Sequence, residues 1–223
     1  MVELPKTPLD LYNLFLAQKN KLYDYSWLYE TIRPHCKFKK IPGLQHCGPR
    51  RIIQVPSEFT KFLLWMNDKK IKSYLEIGIS TGGSFFTTDA YLRNVNEEYQ
   101  YSYGLDIREK CGGYIEYNSK FSTCQFVKGT SQEVKHIDFF FDLCFIDANH
   151  TEKCSLEDFD IVKERCKYVA FHDIVLDIDE KYFGKRKSST VFKTWNKLKE
   201  KYNFVEFIDK SLPETCGIGI IEM

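Results

Sequence analysis

Lys72-Ser73-Tyr74-Leu75-Glu76-Ile77-Gly78-Ile79-Ser80-Thr81-Gly82-Gly83-Ser84 reads as an apolar strand that runs straight into a glycine-rich turn opening a helix. Open parallel sheets take small ligands at the carboxyl ends of their strands. There, glycine lets backbone approach the ligand and the next helix offers free N–H groups. The chain around this stretch alternates as such a sheet requires. Strands are expected near 73–78, 101–106, 124–128, 142–147 and 167–173, with helices near 83–93 and 152–165. Val191, Trp195, Leu198 and Tyr202 mark another helix, and 204–208 and 217–221 read as two strands. Their link of about ten residues is too short for a helical crossover, so this last pair should be antiparallel. The rhythm is that of an α/β fold with a mostly parallel sheet.

Upstream, residues 7–33 read as a helix. Thr7 can cap, Pro8 suits the first turn, Asp10 stands three after the cap, and Leu11, Leu14, Phe15 and Leu22 form an apolar stripe. Pro34, Pro42, Gly43, Gly48, Pro49 and Pro56 make 34–56 a loop. A second helix is expected from Ser57, with Phe59, Phe62, Leu63 and Met66 at helical spacing. The chain is expected to divide into a helical and loop segment, 1–56, and an α/β domain, 57–223. The first part is placed to cover a site or to join two copies in a homo-oligomer. No internal repeat or low-complexity tract is found.

Composition narrows the partners. Of 223 residues, 43% are hydrophobic and 16% aromatic, enough for a packed core. The formal net charge is only +1, so the broad basic footprint of a nucleic-acid binder is missing. The local clusters Lys37, Lys39, Lys40 and Lys185, Arg186, Lys187 read as solvated faces. No apolar run has the length of a membrane span, and the N-terminus lacks a signal-peptide core, so a soluble, cytoplasmic protein is expected. The eight cysteines contain no Cys-x-x-Cys pair and read as buried, reduced thiols. His35-Cys36 and His46-Cys47 lack the usual spacing of a zinc site.

A dinucleotide fingerprint wants Gly-x-Gly-x-x-Gly, whereas this turn has Gly78, then Ser80, then Gly82-Gly83. The match to NAD is poor. Asp106 ends the next strand, where a carboxylate can accept both hydroxyls of a ribose. Glu76, two residues before Gly78, suits a positively charged ligand better than an anionic pyrophosphate. Glu76-Ile77-Gly78-Ile79-Ser80-Thr81-Gly82 resembles the first motif of the class I S-adenosylmethionine-dependent methyltransferases, with Ser80 in place of the middle glycine. The resemblance covers roughly 57–223. It implies a Rossmann-like, seven-stranded sheet, helices on both faces and a terminal antiparallel strand pair. It also implies S-adenosylmethionine as cofactor: Glu76, Gly78, Ser80 and Gly82 at the methionine part, Asp106 at the ribose, and Gly129-Thr130-Ser131 at the adenine side.

Two further strand ends carry polar clusters, Asp147-Ala148-Asn149-His150 and His172-Asp173. A carboxylate from each of two neighbouring strand ends suits a hard divalent cation, which takes oxygen ligands and keeps positions open for substrate. Asp147 and Asp173 are the metal candidates, with His172 or Asn149 completing the set and Mg²⁺ the expected ion. His150 stands about one helical turn beyond Asp147, a general-base position facing an acceptor hydroxyl. These motifs are similar to those of the metal-dependent O-methyltransferases, including the macrolide-sugar and aminocoumarin-sugar enzymes and, more distantly, catechol O-methyltransferase. His172-Asp173 departs from them, since those relatives carry two acids there. Structural roles stay open: Asp147 can cap the following helix, and His172 can be a satisfied core histidine.

The long polar connection 174–190 holds Tyr182 and Phe183, suited to stacking on a sugar, and Lys185 and Arg186, suited to a phosphate. Gly48-Pro49-Arg50-Arg51 and Gln54 are placed to close over the cofactor. The expectation is O-methylation of a sugar or glycan hydroxyl with a neighbouring hydroxyl, since a vicinal diol can chelate the metal. A catechol or small phenol is the alternative acceptor, and a non-catalytic cofactor-binding module the alternative class.

Overall fold

The computed structural model describes residues 5, 7–36, 52–108, 114–175, 189–212 and 215–223. Seven strands form one sheet: β1 (Ser73–Ile77), β2 (Tyr101–Asp106), β3 (Cys124–Lys128), β4 (Phe141–Ile146), β5 (Cys166–His172), β6 (Phe204–Phe207) and β7 (Ile218–Glu222). Their order is β3-β2-β1-β4-β5-β7-β6, parallel from β3 to β5. β7 lies antiparallel between β5 and β6. The expected α/β sheet and its terminal antiparallel pair are therefore present. All five residues of β1 are buried, as befits a central strand covered on both faces.

Side-chain alternation sorts the core into two layers. Tyr74, Leu143, Phe145, Tyr168, Ala170, Ile218 and Ile220 pack on one face, against α3 (Pro56–Asp68) and α4 (Gly83–Val95). Leu75, Ile77, Cys144, Ile146, Val169, Phe171 and Ile221 pack on the other, against α6 (Glu152–Val162) and α7 (Val191–Leu198). α5 (Tyr114–Lys120) precedes β3, and a 3-10 turn (Ser131–His136) follows it. The sequence pattern gave no sign of either element: both are short and polar, and Gly112-Gly113 precedes α5.

The single helix expected over 7–33 is instead two, α1 (Pro8–Ala17) and α2 (Tyr25–Ile32), with a 3-10 turn at Lys19–Lys21 between them. The polar run Gln18-Lys19-Asn20-Lys21 interrupts the stripe, and Asp24 starts a new helix by accepting from the N–H groups of Ser26 and Trp27. The start of α1 is as expected, a reciprocal capping box between Thr7 and Asp10. Leu11, Phe15, Leu22, Leu28 and Ile32 enter the same buried cluster as Phe59 and Phe62 of α3, so the described part of the N-terminal segment shares the core of the sheet. Cys36, Cys124, Cys144, Cys154, Cys166 and Cys216 are free thiols; Cys47, Cys111 and His46 lie outside the described residues. Among the described residues no helix is long and apolar enough to cross a membrane.

Candidate functional site

Register decides which strand ends meet. Ile77 pairs with Leu105 on one side and Ile146 on the other, and Ile146 pairs with Phe171. Gly78, Asp106, Asp147 and His172 are therefore the next residues in register at the ends of four adjacent strands, along one edge of the sheet. Two groups of side chains form there, one on each side of β1.

The first is the glycine turn with Asp106. Gly78 has φ +93°, and a Cβ on it would fall 2.3 Å from the carbonyl oxygen of Asp147. Only glycine lets the ends of β1 and β4 come this close, and Asp147 N–H donates to the Ile77 carbonyl at 2.9 Å across the same junction. Ser80 has φ +50°, the left-handed backbone that a glycine would take in its place, at a cost of about 1 kcal/mol. Its N–H donates to Asp106 Oδ2 at 2.7 Å, and Arg108 N–H donates to Oδ1 at 2.8 Å. Each carboxylate oxygen accepts at about two positions, so these bonds aim Asp106 and leave capacity for two hydroxyls. Gly82, φ +85°, begins α4 and turns its N-terminus toward the same edge. Beside Asp106, Ile107 is 63% exposed and offers a flat apolar surface, a feature the sequence reading passed over.

Glu76 sits under this turn rather than in its mouth. It is fully buried, Ser84 donates to Oε1 and Tyr74 to Oε2, and burial pushes its carboxyl up to about 8 against those hydrogen bonds. Strand alternation explains the placement: Glu76 shares the face of Tyr74, under α4. Its direct contact is thus with the second residue of α4, which ties strand to helix across the turn. Ser131 is buried, and its hydroxyl bonds the carboxylate of Asp158. Thr130 caps the 3-10 turn, and Gly129 N–H donates to the Asp106 carbonyl at 2.9 Å.

The second group lies at the ends of β4 and β5. By the same alternation Asp147, His172 and Cys216 continue the face of Phe145, Ala170 and Ile218. His172 is 4% exposed, and its Nδ1 lies 3.2 Å from Asp147 Oδ1 and 3.2 Å from Asp173 Oδ1, yet neither ring nitrogen has a hydrogen-bond partner. Desolvation opposes the imidazolium, but the two carboxylates outweigh it and hold the His172 pKa well above its ordinary value. Asp173 is buried and has φ +63°, rare for a residue with a side chain. Its second oxygen contacts His150 Nδ1, and the ring of His150 is half exposed. Burial pushes the Asp173 carboxyl up, while His172 and His150 pull it down further, so it sits below the carboxylate range. Gln54 Nε2, just ahead of α3, donates to Asp147 Oδ2 at 2.7 Å.

His150 stands against Asp173, and the metal set expected at Asp147, Asp173 and His172 converges differently. The ligand atoms that converge within 4.8 Å among the described residues belong to His172, Asp173 and Cys216. Asp147 reaches this group only through His172, since Gln54 holds its other oxygen. Asn149 is exposed and contributes to neither. Cys216 escaped the sequence reading because its neighbour β5 is set by a long-range antiparallel register, whereas Gln54, expected over the cofactor, bonds Asp147. Of the long polar connection, Tyr182, Phe183, Lys185 and Arg186 lie outside the described residues, as do Gly48 to Arg51. The flanks of that connection are anchored here: Val175 N–H donates to the Cys216 carbonyl at 3.1 Å, and Thr190 N–H to the His150 carbonyl at 2.8 Å.

Comparison with known proteins agrees with this layout. No curated protein matches the sequence. The O-methyltransferase TomG of Streptomyces achromogenes, solved with S-adenosylmethionine, is 14% identical over 100% of this chain and 99% of its own, with a TM-score of 0.57. The O-methyltransferase of Bacillus cereus, solved with S-adenosylhomocysteine, is 14% identical over 97% and 98%, with a TM-score of 0.57. The methyltransferase PaMTH1 of Podospora anserina, also bound to S-adenosylhomocysteine, is 15% identical over 89% and 86%, with a TM-score of 0.55. At such identities the likeness is one of fold. The family described as Methyltransferase domain matches residues 75–174, from within β1 to just past β5, a stretch that includes the glycine turn, Asp106, Asp147, His150, His172 and Asp173.

Proposed function

We propose that the chain transfers the methyl group of S-adenosylmethionine to a hydroxyl oxygen of a sugar or glycan. The observation that carries this is the single sheet edge on which an aimed carboxylate, Asp106, and a histidine–aspartate pair, His150 and Asp173, stand on either side of the glycine turn. The turn and the N-terminus of α4 would take the methionine part, with Asp106 accepting the ribose hydroxyls and Ile107 lying against the adenine. Glu76 and Ser80 act by shaping the turn, and Ser131 by fixing the end of β3 through Asp158.

His150 is the base in this reading. Asp173 holds Nδ1, so Nε2 is the nitrogen turned toward an acceptor, and the half-exposed ring can be reached from solvent. As the acceptor oxygen bonds to the methyl carbon, the carbon–sulfur bond breaks, the hydroxyl proton passes to His150, and S-adenosylhomocysteine leaves. Alignment and close approach supply much of the acceleration. A divalent cation at the acidic strand ends would supply Lewis acidity that lowers the hydroxyl pKa. Asp147, Asp173 and His172 were the residues expected to hold it as Mg²⁺, but the converging imidazole and thiol are poor ligands for that ion. Gln54 on Asp147 supports a covering role for the N-terminal segment. The resemblance of Asp147-Ala148-Asn149-His150 to the motif of the sugar O-methyltransferases favours a sugar diol; a catechol presents the same paired hydroxyls.

The test is methyl transfer from labelled S-adenosylmethionine to matched glycosides and catechols. Label in glycosides supports the proposal, label in catechols alone moves the acceptor to a phenol, and cofactor binding without transfer to any acceptor points to a binding module.

A further inference from the structure

We propose that His172, Asp173 and Cys216 form the binding site of a borderline divalent cation of the zinc class. The site rests on its own donor set and deepens the proposed function only by naming the ion.

His172 carries the first observation. Both of its ring nitrogens are buried without a hydrogen bond, Nδ1 having only the ionic contacts at 3.2 Å with Asp147 and Asp173, although buried polar groups nearly always make one and an orphan calls for an explanation. A cation bound by one nitrogen answers it. The second observation is convergence: one ligand atom each from His172, Asp173 and Cys216 lie within 4.8 Å of one another, all three residues buried. Zinc–ligand bonds of about 2.0–2.3 Å place the ligands of a tetrahedral site roughly 3.3–3.8 Å apart, so small side-chain rotations close the set. Nitrogen, oxygen and sulfur together are donors that Zn²⁺ accepts and Mg²⁺, which demands an octahedron of oxygens, does not.

The thiol is held in place from behind. Glu58, 1% exposed on α3, accepts from Gly217 N–H at 2.9 Å and from the Thr215 hydroxyl, the residues on either side of Cys216. Antiparallel pairing of His172 with Ile218 brings the residues just before β7 alongside those just after β5. Supporting bonds of this kind orient a ligand before the ion arrives. Three protein ligands with one position left for water or an acceptor oxygen is the pattern of catalytic zinc, whereas structural sites are closed by four. Cys216 binds as thiolate, its proton passing to the buffer, and no electron moves.

The experiment is a Co²⁺ titration of the full chain after chelator treatment, read by absorbance. The expected result is a near-ultraviolet cobalt–thiolate band that saturates at one ion per chain, is displaced by one equivalent of Zn²⁺ and survives about a 100-fold excess of Mg²⁺. Cys216→Ser should lose the band, and Cys154→Ser, outside the converging set, should keep it. Absence of the band from the wild-type chain, its persistence in Cys216→Ser, or its displacement by Mg²⁺ would overturn the inference. Should Cys216→Ser not fold, the wild-type competition and Asp173→Ala decide the matter. S-adenosylmethionine binding is measured on the same samples. Cofactor binding without the cobalt band defeats the ion alone; the band without cofactor binding defeats the proposed function alone.

Discussion

Two buried carboxylate clusters flank the parallel sheet, and they differ in one respect. Asp89 of α4 is fully buried and accepts from Arg93 Nε at 2.6 Å and Nη2 at 3.1 Å, Tyr117 at 2.8 Å, Tyr99 at 3.1 Å and the Ser102 hydroxyl. Every acceptor position of that carboxylate is used. At the ends of β4 and β5, Asp147 and Asp173 lie 3.2 Å from an imidazole whose two nitrogens make no hydrogen bond, and one carboxylate rests on a left-handed backbone. Burial of charge is common to both, so it does not mark function. The unanswered donor does, together with strain at a strand end.

Substitutions separate the two clusters, and the largest effect on folding belongs to the satisfied one. Asp89→Ala leaves the Arg93 guanidinium buried without its partner, and urea unfolding should show a loss of about 3–5 kcal/mol. Gly78→Ala forces a Cβ against the Asp147 backbone at a positive φ. It should cost about 1–3 kcal/mol and weaken S-adenosylmethionine binding in calorimetry, because both halves of the site meet at that glycine.

Glu76→Gln tests the buried acid beneath the turn, whose titration is set by Tyr74, Ser84, Asp147 and His172 around it. Its folded pKa, about 8, lies above that of an unfolded glutamate, so its stabilising contribution is complete below about pH 4.5 and is lost as pH rises through 8. Thermal melts without cofactor should therefore favour Glu76→Gln over wild type by ~1–2 kcal/mol more at pH 6.5 than at pH 5. A pH-independent difference would show that Glu76 is ionised in the fold. The smallest effect on stability falls on the unsatisfied cluster. Asp147→Asn should stay within about 1 kcal/mol of wild type in the same melts while methyl transfer falls on the order of 100-fold. Equal loss of stability and turnover would make Asp147 structural.

Much of this was legible in the chain itself. Apolar strands alternating with helices and the glycine turn announced the sheet, and the carboxylates at 106, 147 and 173 fell at strand ends that meet along one edge. What pattern could not show were consequences of long-range register. Glu76 looks like a ligand group in the motif, yet strand alternation carries it under α4 to meet Ser84. Cys216 looks like an inert thiol, yet the β5–β7 pairing brings it to His172 and Asp173. The break between α1 and α2 was visible only as four polar residues, too few to outweigh the flanking leucines.

The central claim is that the edge beyond β1 and β2 holds S-adenosylmethionine. Isothermal calorimetry of S-adenosylmethionine with the full chain and its Asp106→Ala variant tests it most directly. Wild type is expected to bind one equivalent, and removal of the carboxylate proposed to accept the ribose hydroxyls should weaken binding by about tenfold or more, the worth of one charge-assisted hydrogen bond. No binding to the folded wild-type chain, or equal affinity in the folded Asp106→Ala variant, would contradict it.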